Sequence, residues 1–589
     1  MVVVFVFASM VVGALGLVYR YGTRTLPQND EVWALYDSGP GIHVHWLWKT
    51  WAEHRMPLAK LIWKGVLQWT NYDFRAGDFF TVLSLAAVAG LMVWTANRIR
   101  GRTILADAFF PLAILNFGQA QTFLWWWEVN HVLAPIVATV LLSVVITCRR
   151  EPRLDHLVCI GIALILLVLC GPGGLPYVVA FAAWLAILMG TSSSGPRSQY
   201  LWVLAPVAAA FGLLIFYFVD YTPYFPVNDP PSIPSWPPAA GLRDSAVAML
   251  QILGVSLGVA TKPYAILCGA AVLTLVFATA ALLVRRLLLD PADRLRTLGL
   301  LLFLGAGAGL VFVIARSRAG MGLDYIYQGH YAVVVMPTMC CIYLAWEIQK
   351  GATASVVQYG LLLGLAALFP FNLRAAVQLG EDVQQKMLAF ERDVQNSVPV
   401  SVLAERHFAS DVVPRAEKLA VILKDHKTNG IGIFKDVRDD PPARVEILDP
   451  GAAIPDDVVL REGIISSTVD NHAKASLTWK LMNPRHVYAI RIRYAYIRST
   501  NPWPTLRAYW RNSLTQEFND SRAWFSTVAG PDQPTWALVN GKIQTNARVR
   551  TERTLTMWVD ATIDQLRIYP DSAPCDVRFS NVELLVPET

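Results

Sequence analysis

Apolar runs long enough to cross a bilayer recur from the first residue to about residue 373, and nothing constrains the fold of this chain more. A helix needs ~20 apolar residues to traverse ~30 Å of hydrocarbon, and there every backbone polar group must find its partner within the protein. Met1 to Tyr19 is the first such run. It lacks a small-residue cleavage site before Arg20, so it reads as a retained anchor. Further runs lie near 79–97, 104–124, 132–148, 155–171, 174–190, 200–219, 264–284, 297–315, 331–346 and 353–372. Eleven crossings follow, two of them a tight hairpin through Gly171-Pro172-Gly173-Gly174.

Charge sets the orientation. Arg98, Arg100 and Arg102 follow the second run; Arg149, Arg150 and Arg153 the fourth; Arg285, Arg286, Arg294 and Arg296 the eighth; Lys350 the tenth. All fall on one side if the N-terminus is cytoplasmic, as the positive-inside rule requires. Residues 245–259 are also apolar, but a full crossing there would put Arg285 and Arg286 outside. They are therefore expected as a re-entrant or interfacial helix. The proline-rich stretch Pro223 to Pro238 reads as an ordered external loop. The long first loop, 20–78, and everything after the eleventh run then face the cell exterior or periplasm.

From about residue 374 the composition is that of a soluble domain. Residues 374–396 read as an amphipathic helix, and 374–459 as a linker with a helix near 414–425 and a strand near 431–434. From 460 to 589 short alternating strands take over, among them 490–496, Leu506–Trp510, Trp524–Val528, Thr554–Val559, Gln565–Tyr569 and Val582–Val586. That spacing predicts an antiparallel β-sandwich or jelly roll. Trp503, Tyr509, Trp510, Trp524, Trp536 and Trp558 are either a sugar-stacking face or core aromatics. The net charge of +6 forms no basic block, which argues against nucleic acid, and no Cys/His cluster marks a zinc site.

The residues with chemistry to offer lie in the external loops. Asn29-Asp30-Glu31 places two carboxylates at the outer mouth of the bundle, where charge is costly and usually functional. The alternative is that both acids cap a helix start. Glu53-His54-Arg55 sits among Trp46, Trp48, Trp51 and Trp63 as a candidate acceptor or phosphate site, although tryptophan also marks membrane interfaces. Glu128 and His131 flank Trp125-Trp126-Trp127, and Glu128 is the only carboxylate there. Arg316 and Arg318 are candidates to fork a phosphate, with Lys262 as competitor and His330 and Tyr331 close in the same loop. No P-loop, dinucleotide fingerprint or Ser/His/Asp arrangement occurs.

Asn29-Asp30-Glu31, Glu53-His54-Arg55, Trp69 to Arg75-Ala76-Gly77 and Asp107-Ala108-Phe109-Phe110-Pro111 together resemble the GT-C superfamily of polytopic bacterial glycosyltransferases. The run Ile563 to Asp571 is similar to carbohydrate-binding-like modules appended to such enzymes. The resemblance implies a GT-C-like membrane domain over 1–373 and an extracytoplasmic β-module over 460–589. It implies an inverting transferase in the bacterial cytoplasmic membrane, using a polyprenyl-phosphate sugar donor and a glycan, lipid or protein acceptor. Asp30 corresponds to the superfamily's loop-one acid, the general base, with Glu31 as understudy. Asp30 and Glu128 are also a pair able to hold Mg²⁺ or Mn²⁺ with the phosphate. The rivals are an oligosaccharide ligase or polymerase, a transporter or flippase of lipid-linked saccharide, and a non-catalytic glycan sensor.

Overall fold

The computed structural model describes the chain apart from residues 28–29, 53, 149–153, 192–196, 223–240, 320–325, 408–415, 462–463, 468–474, 501–504, 512–517, 519–522, 528–536, 540–541, 545–551, 572 and 589; of Asp30 only the backbone is described. Asn29, Glu53, Arg149, Arg150, Arg153, the 223–238 loop, Trp503 and Trp536, on which the sequence places expectations, lie outside the described residues. The chain divides into two compact units, Met1–Leu388 and Ala389–Thr589.

Among the described residues, seven helices are long and apolar enough to cross a membrane: Val2–Tyr21, Phe74–Arg100, Trp126–Thr147, Val259–Leu289, Pro291–Arg318, His330–Gln349 and Ala352–Gln395. Three shorter apolar helices, Asp155–Leu169, Leu175–Met189 and Leu204–Phe218, accompany them. The first unit is thus a helical membrane domain. In chain order its helices are α1 (Val2–Tyr21), α2 (Asp30–Ser38), α3 (Val44–Trp48), α4 (Pro57–Trp69) and α5 (Phe74–Arg100). Then come α6 (Phe109–Ile114), α7 (Ala120–Leu124), α8 (Val129–Thr147), α9 (Leu154–Leu169), α10 (Leu175–Thr191) and α11 (Arg197–Phe218). The last are α12 (Leu242–Val255), α13 (Ala265–Leu289), α14 (Arg294–Arg318), α15 (His330–Gln349) and α16 (Ala352–Gln395). Local chemistry fixes the ends of α5: Asp73 accepts from the Arg75 N–H, and Gly101, at φ +84, closes the other end in the left-handed region.

The run 104–124 is not the single helix its hydropathy predicts. It breaks into a 3₁₀ turn (Leu105–Ala108), α6, a second turn (Phe117–Gln119) and α7. The cause is polar: Asn116 accepts from the Gly118 N–H, and Gln119 Nε2 donates to the Ile114 carbonyl. Gly118 is required there, since a Cβ would fall 2.3 Å from the Gly258 Cα. These side chains satisfy irregular backbone that lipid could not.

The broken segment runs the length of α15, the most enclosed helix. At one end Asp107 meets Tyr343 Oη (2.9 Å) and Arg100 (3.0 Å), and Arg100 Nε reaches Glu347 at 2.9 Å. Arg286 of α13 donates there to the Ile348 carbonyl. At the other end Gln121 approaches Glu128, beside His330. Arginines that follow separate apolar runs therefore gather at one end of the bundle, and the loop-borne acids and imidazoles at the other. α12, with 14 residues or ~21 Å, is too short to cross alone and folds back on α13, where Gly254 and Gly269 allow backbone-close packing.

The amphipathic stretch after residue 374 is not a separate helix; it continues the last apolar run as α16, 44 residues long. In the second unit α17 (Val400–His407) and α18 (Ala416–Thr428) precede the sheet, and the strand expected near 431–434 is a 3₁₀ turn, Gly432–Asp436. The described strands are β1 (Ala443–Leu448), β2 (Ile454–Asp456), β3 (Val459–Arg461), β4 (Ile464–Ser467), β5 (Ser476–Ser499), β6 (Thr505–Arg511), β7 (Ala523–Thr527), β8 (Ala537–Val539), β9 (Lys542–Gln544), β10 (Arg553–Tyr569) and β11 (Cys575–Pro587). Nine of them form one antiparallel sheet along the path β3-β4-β11-β5-β10-β6-β7, with β1 on β11 and β2 on β5. The two strands expected at 554–559 and 565–569 are one strand, β10, whose register shifts twice against β5. Trp510 belongs to the buried core of this sheet, while Trp558 lies parallel to Tyr488.

Candidate functional site

The acid-bearing helix α2 is held from its first turn. Glu31 is fully buried; its Oε1 accepts from the Trp127 backbone N–H at 3.0 Å and from Trp63 Nε1 at 3.4 Å. Trp63 comes from α4, and Trp127 from a 3₁₀ turn (Trp126–Glu128) ahead of α8. The loop-one tryptophans are packing material more than an interfacial belt. Trp63 meets Trp127 edge-on at 4.9 Å, Trp51 meets it at 5.2 Å, and Trp46 lies 6.3 Å from Trp63. Gly77 makes room for Trp126, whose ring sits 2.0 Å from where a Cβ would be, and Trp126 Nε1 donates to the Trp63 carbonyl.

The residue after Trp127 is Glu128, 2 % exposed. Its Oε2 lies 2.7 Å from His131 Nδ1, and its Oε1 lies 3.4 Å from His330 Nδ1. The two imidazoles stack at 4.5 Å with planes 20° apart. Each turns its Nδ1 to one carboxylate oxygen, so their Nε2 edges face away from Glu128. His54 stands edge-on to His131 at 6.3 Å, and Tyr331 edge-on to His330 at 4.3 Å. Gln121 Nε2 reaches both Glu128 and Gln328. Residues from loop one, from the turn before α8 and from the start of α15 thus meet around one carboxylate.

Other candidates are employed elsewhere. Arg55 donates to the carbonyls of Tyr217 (2.6 Å), Val219 (2.6 Å) and Asp220 (2.8 Å), closing the end of α11 whose last carbonyls have no helical partner. Arg316 reaches Ser245 Oγ of α12 at 3.4 Å, and Arg318 is half-buried at the end of α14. Lys262 is exposed next to Thr261, whose hydroxyl meets Tyr327 Oη, one residue from Gln328. The constellation Glu53-His54-Arg55 is therefore divided: His54 joins the imidazoles and Arg55 caps a helix.

Two features were not anticipated. Asp78, in the second turn of α5, is 1 % exposed, and its Oδ1 has no hydrogen-bond partner among the described residues. In the sequence it is one acid after Arg75-Ala76-Gly77, indistinguishable from an ordinary helix-start carboxylate. Asp107 stands in the sequence only within the motif Asp107-Ala108-Phe109-Phe110-Pro111, whereas in the fold it is a buried partner of Arg100. No group of three or more His, Cys, Asp or Glu among the described residues is placed to hold a metal ion.

Burial, and secondarily the charge of His131, pushes His54 below its ordinary value of 6.5. The folded protein therefore declines a proton that the unfolded chain accepts as pH falls through that value. Where the unfolded state binds more protons, stability rises with pH, so acidification below about 6.5 should lower the melting temperature. His54→Gln should flatten this acid limb in a thermal-unfolding series; an unchanged slope would show that His54 does not titrate in the unfolding step.

Comparison with protein-family models and with curated proteins finds no match to this chain.

Proposed function

We propose that the protein is an inverting glycosyltransferase of the GT-C type, moving a sugar from a polyprenyl-phosphate donor to a glycan, lipid or protein acceptor outside the cytoplasmic membrane. The reading takes the bundle as about eleven crossings, the broken segment 105–124 among them, with the N-terminus cytoplasmic and the β-module outside. One observation carries it: the acid-bearing α2 and the Glu128–His131–His330 group are locked together through consecutive residues, Trp127 and Glu128, at the end of the bundle opposite Arg100 and Arg286.

The chemistry asks for a base and a cation. Successive helical residues point ~100° apart, so with Glu31 turned into the tryptophans and Asp37 paired with Lys49, Asp30 is the acid of α2 left to serve the acceptor. Asp30 takes the hydroxyl proton as the acceptor oxygen attacks the anomeric carbon, and the bond from that carbon to the phosphate oxygen breaks with inversion. The departing phosphate is met by the Nε2 edges of His131 and His330, which both turn Nδ1 to Glu128. His330 also opens the 20-residue α15, whose N-terminus carries partial positive charge. Lys262, which follows Thr261 and its contact with Tyr327, is the further cation of this reading; Arg316 and Arg318 are secondary.

A transporter of lipid-linked saccharide would look to buried ionisable groups along its path, and Arg100, Asp107 and Glu347 are buried or half-buried ionisable groups. They pair with one another at the far end, which favours a structural tie. The proposal is tested by adding polyprenyl-phosphate sugars to purified protein and following free polyprenyl phosphate. Release with at least one donor is expected; none across a donor panel with acceptors present would count against a transferase.

A further inference from the structure

Loop one contains two buried ammonium groups that this mechanism does not use. Lys60 and Lys64, one turn apart on α4, are both 0 % exposed. Lysine is almost never fully buried unless its charge has partners. Here the partners are the ends of other helices. Lys64 Nζ donates to Ser38 Oγ at 2.8 Å and to the Gly39 carbonyl at 2.9 Å, where α2 stops and Gly39 takes φ +62. Lys60 Nζ donates to the carbonyls of Trp46 (2.9 Å) and Lys49 (2.7 Å), at the end of α3. Cations favour the carbonyl end of a helix, and each lysine satisfies groups the helix leaves open.

Trp63 lies between them on the same helix and holds Glu31 at the opposite end of α2. α4 therefore grips α2 at both ends, and Lys49–Asp37 at 2.5 Å ties α3 to α2. We propose that Lys60 and Lys64 are positioning residues, a paired ammonium clamp that fixes α3 and α2 against α4 and so sets where the acids of α2 stand relative to the Glu128–His131–His330 group. Burial lowers Lys60 to about 7, with Asp37 opposing and Lys49 and Arg55 adding to the effect, and Lys64 to about 8, which agrees with groups held for their geometry away from water. The role rests on the reading of α2 as the chemical helix; the clamp itself does not.

Hydrogen exchange by mass spectrometry on the full-length protein separates the two. Lys64→Met should speed exchange over residues 31–39 on the order of tenfold or more while leaving 44–49 nearly unchanged, and Lys60→Met should do the reverse. General destabilisation would speed both segments in both variants, and that outcome, like no change in either, overturns the clamp. Should a methionine variant fail to fold, Lys64→Gln and Lys60→Gln keep a donor and give the same crossed pattern at smaller amplitude. In a transfer assay, Lys64→Met should lower kcat at least tenfold with donor KM within a few-fold. The crossed exchange pattern with no transfer by wild type would keep the clamp and remove the transferase reading.

Discussion

Asp30→Asn should insert, fold and bind donor as the wild type does, while transfer falls on the order of 10²–10⁴-fold. The substitution keeps the size of the side chain and its capacity to hydrogen-bond but removes its ability to accept a proton. Glu31→Gln should behave differently. Glu31 accepts two hydrogen bonds in a buried site, from Trp127 N–H and Trp63 Nε1, and an amide can still offer its oxygen to both. Its expected cost is in the placing of α2, at about 1–3 kcal/mol of stability, with a smaller loss of turnover. If both acids merely capped α2, both variants would be nearly silent in transfer and cost about 1 kcal/mol or less. Rates per folded molecule, measured side by side, distinguish these cases.

Arg100→Ala should be the most destabilising single change in the membrane domain. One guanidinium serves two carboxylates: Asp107, wholly buried, and Glu347, 6 % exposed. Tyr343 Oη also donates to Asp107, and Gln358 Nε2 to Glu347 at 2.8 Å. Removing the cation leaves two facing carboxylates with only neutral donors, and breaking a buried pair costs about 3–5 kcal/mol. Arg100→Lys should recover part of this, because an ammonium restores the charge but cannot fork toward two acids. A melting temperature for Arg100→Ala within a degree or two of wild type would show that the two carboxylates do not depend on this guanidinium.

A helical membrane domain was legible because apolar runs of membrane length admit few alternatives, and Arg100 and Arg286, which follow separate runs, both reach the same end of α15. What hydropathy hid was breakage inside an apolar run. Asn116 and Gln119 redirect the backbone of 105–124 by hydrogen bonds that only three-dimensional neighbours such as Gly258 make worthwhile. Similarly, β10 spans what read as two strands, since a bulge at Trp558/Ala561 keeps pairing with β5 across the polar interruption at Asp560. At the site, Glu128, His131 and His330 were each visible as residues, but their meeting depends on α8 and α15 packing side by side. Arg55 was misleading for the opposite reason: its sequence neighbours are His54 and Glu53, whereas its partners are carbonyls more than 160 positions away. Asp78, Lys60 and Lys64 carry no local signal, because burial is a property of the fold.

The central claim is that α2 and the Glu128–His131–His330 group form one donor site. The most direct test is a structure of the full chain in a lipid nanodisc with a bound polyprenyl-phosphate sugar. The account predicts the phosphate against the Nε2 edges of His131 and His330, with the anomeric carbon toward the first turn of α2 and Asp30. Phosphate density on Arg316 or Arg318 away from both imidazoles, or a sugar beyond the reach of α2, would contradict it.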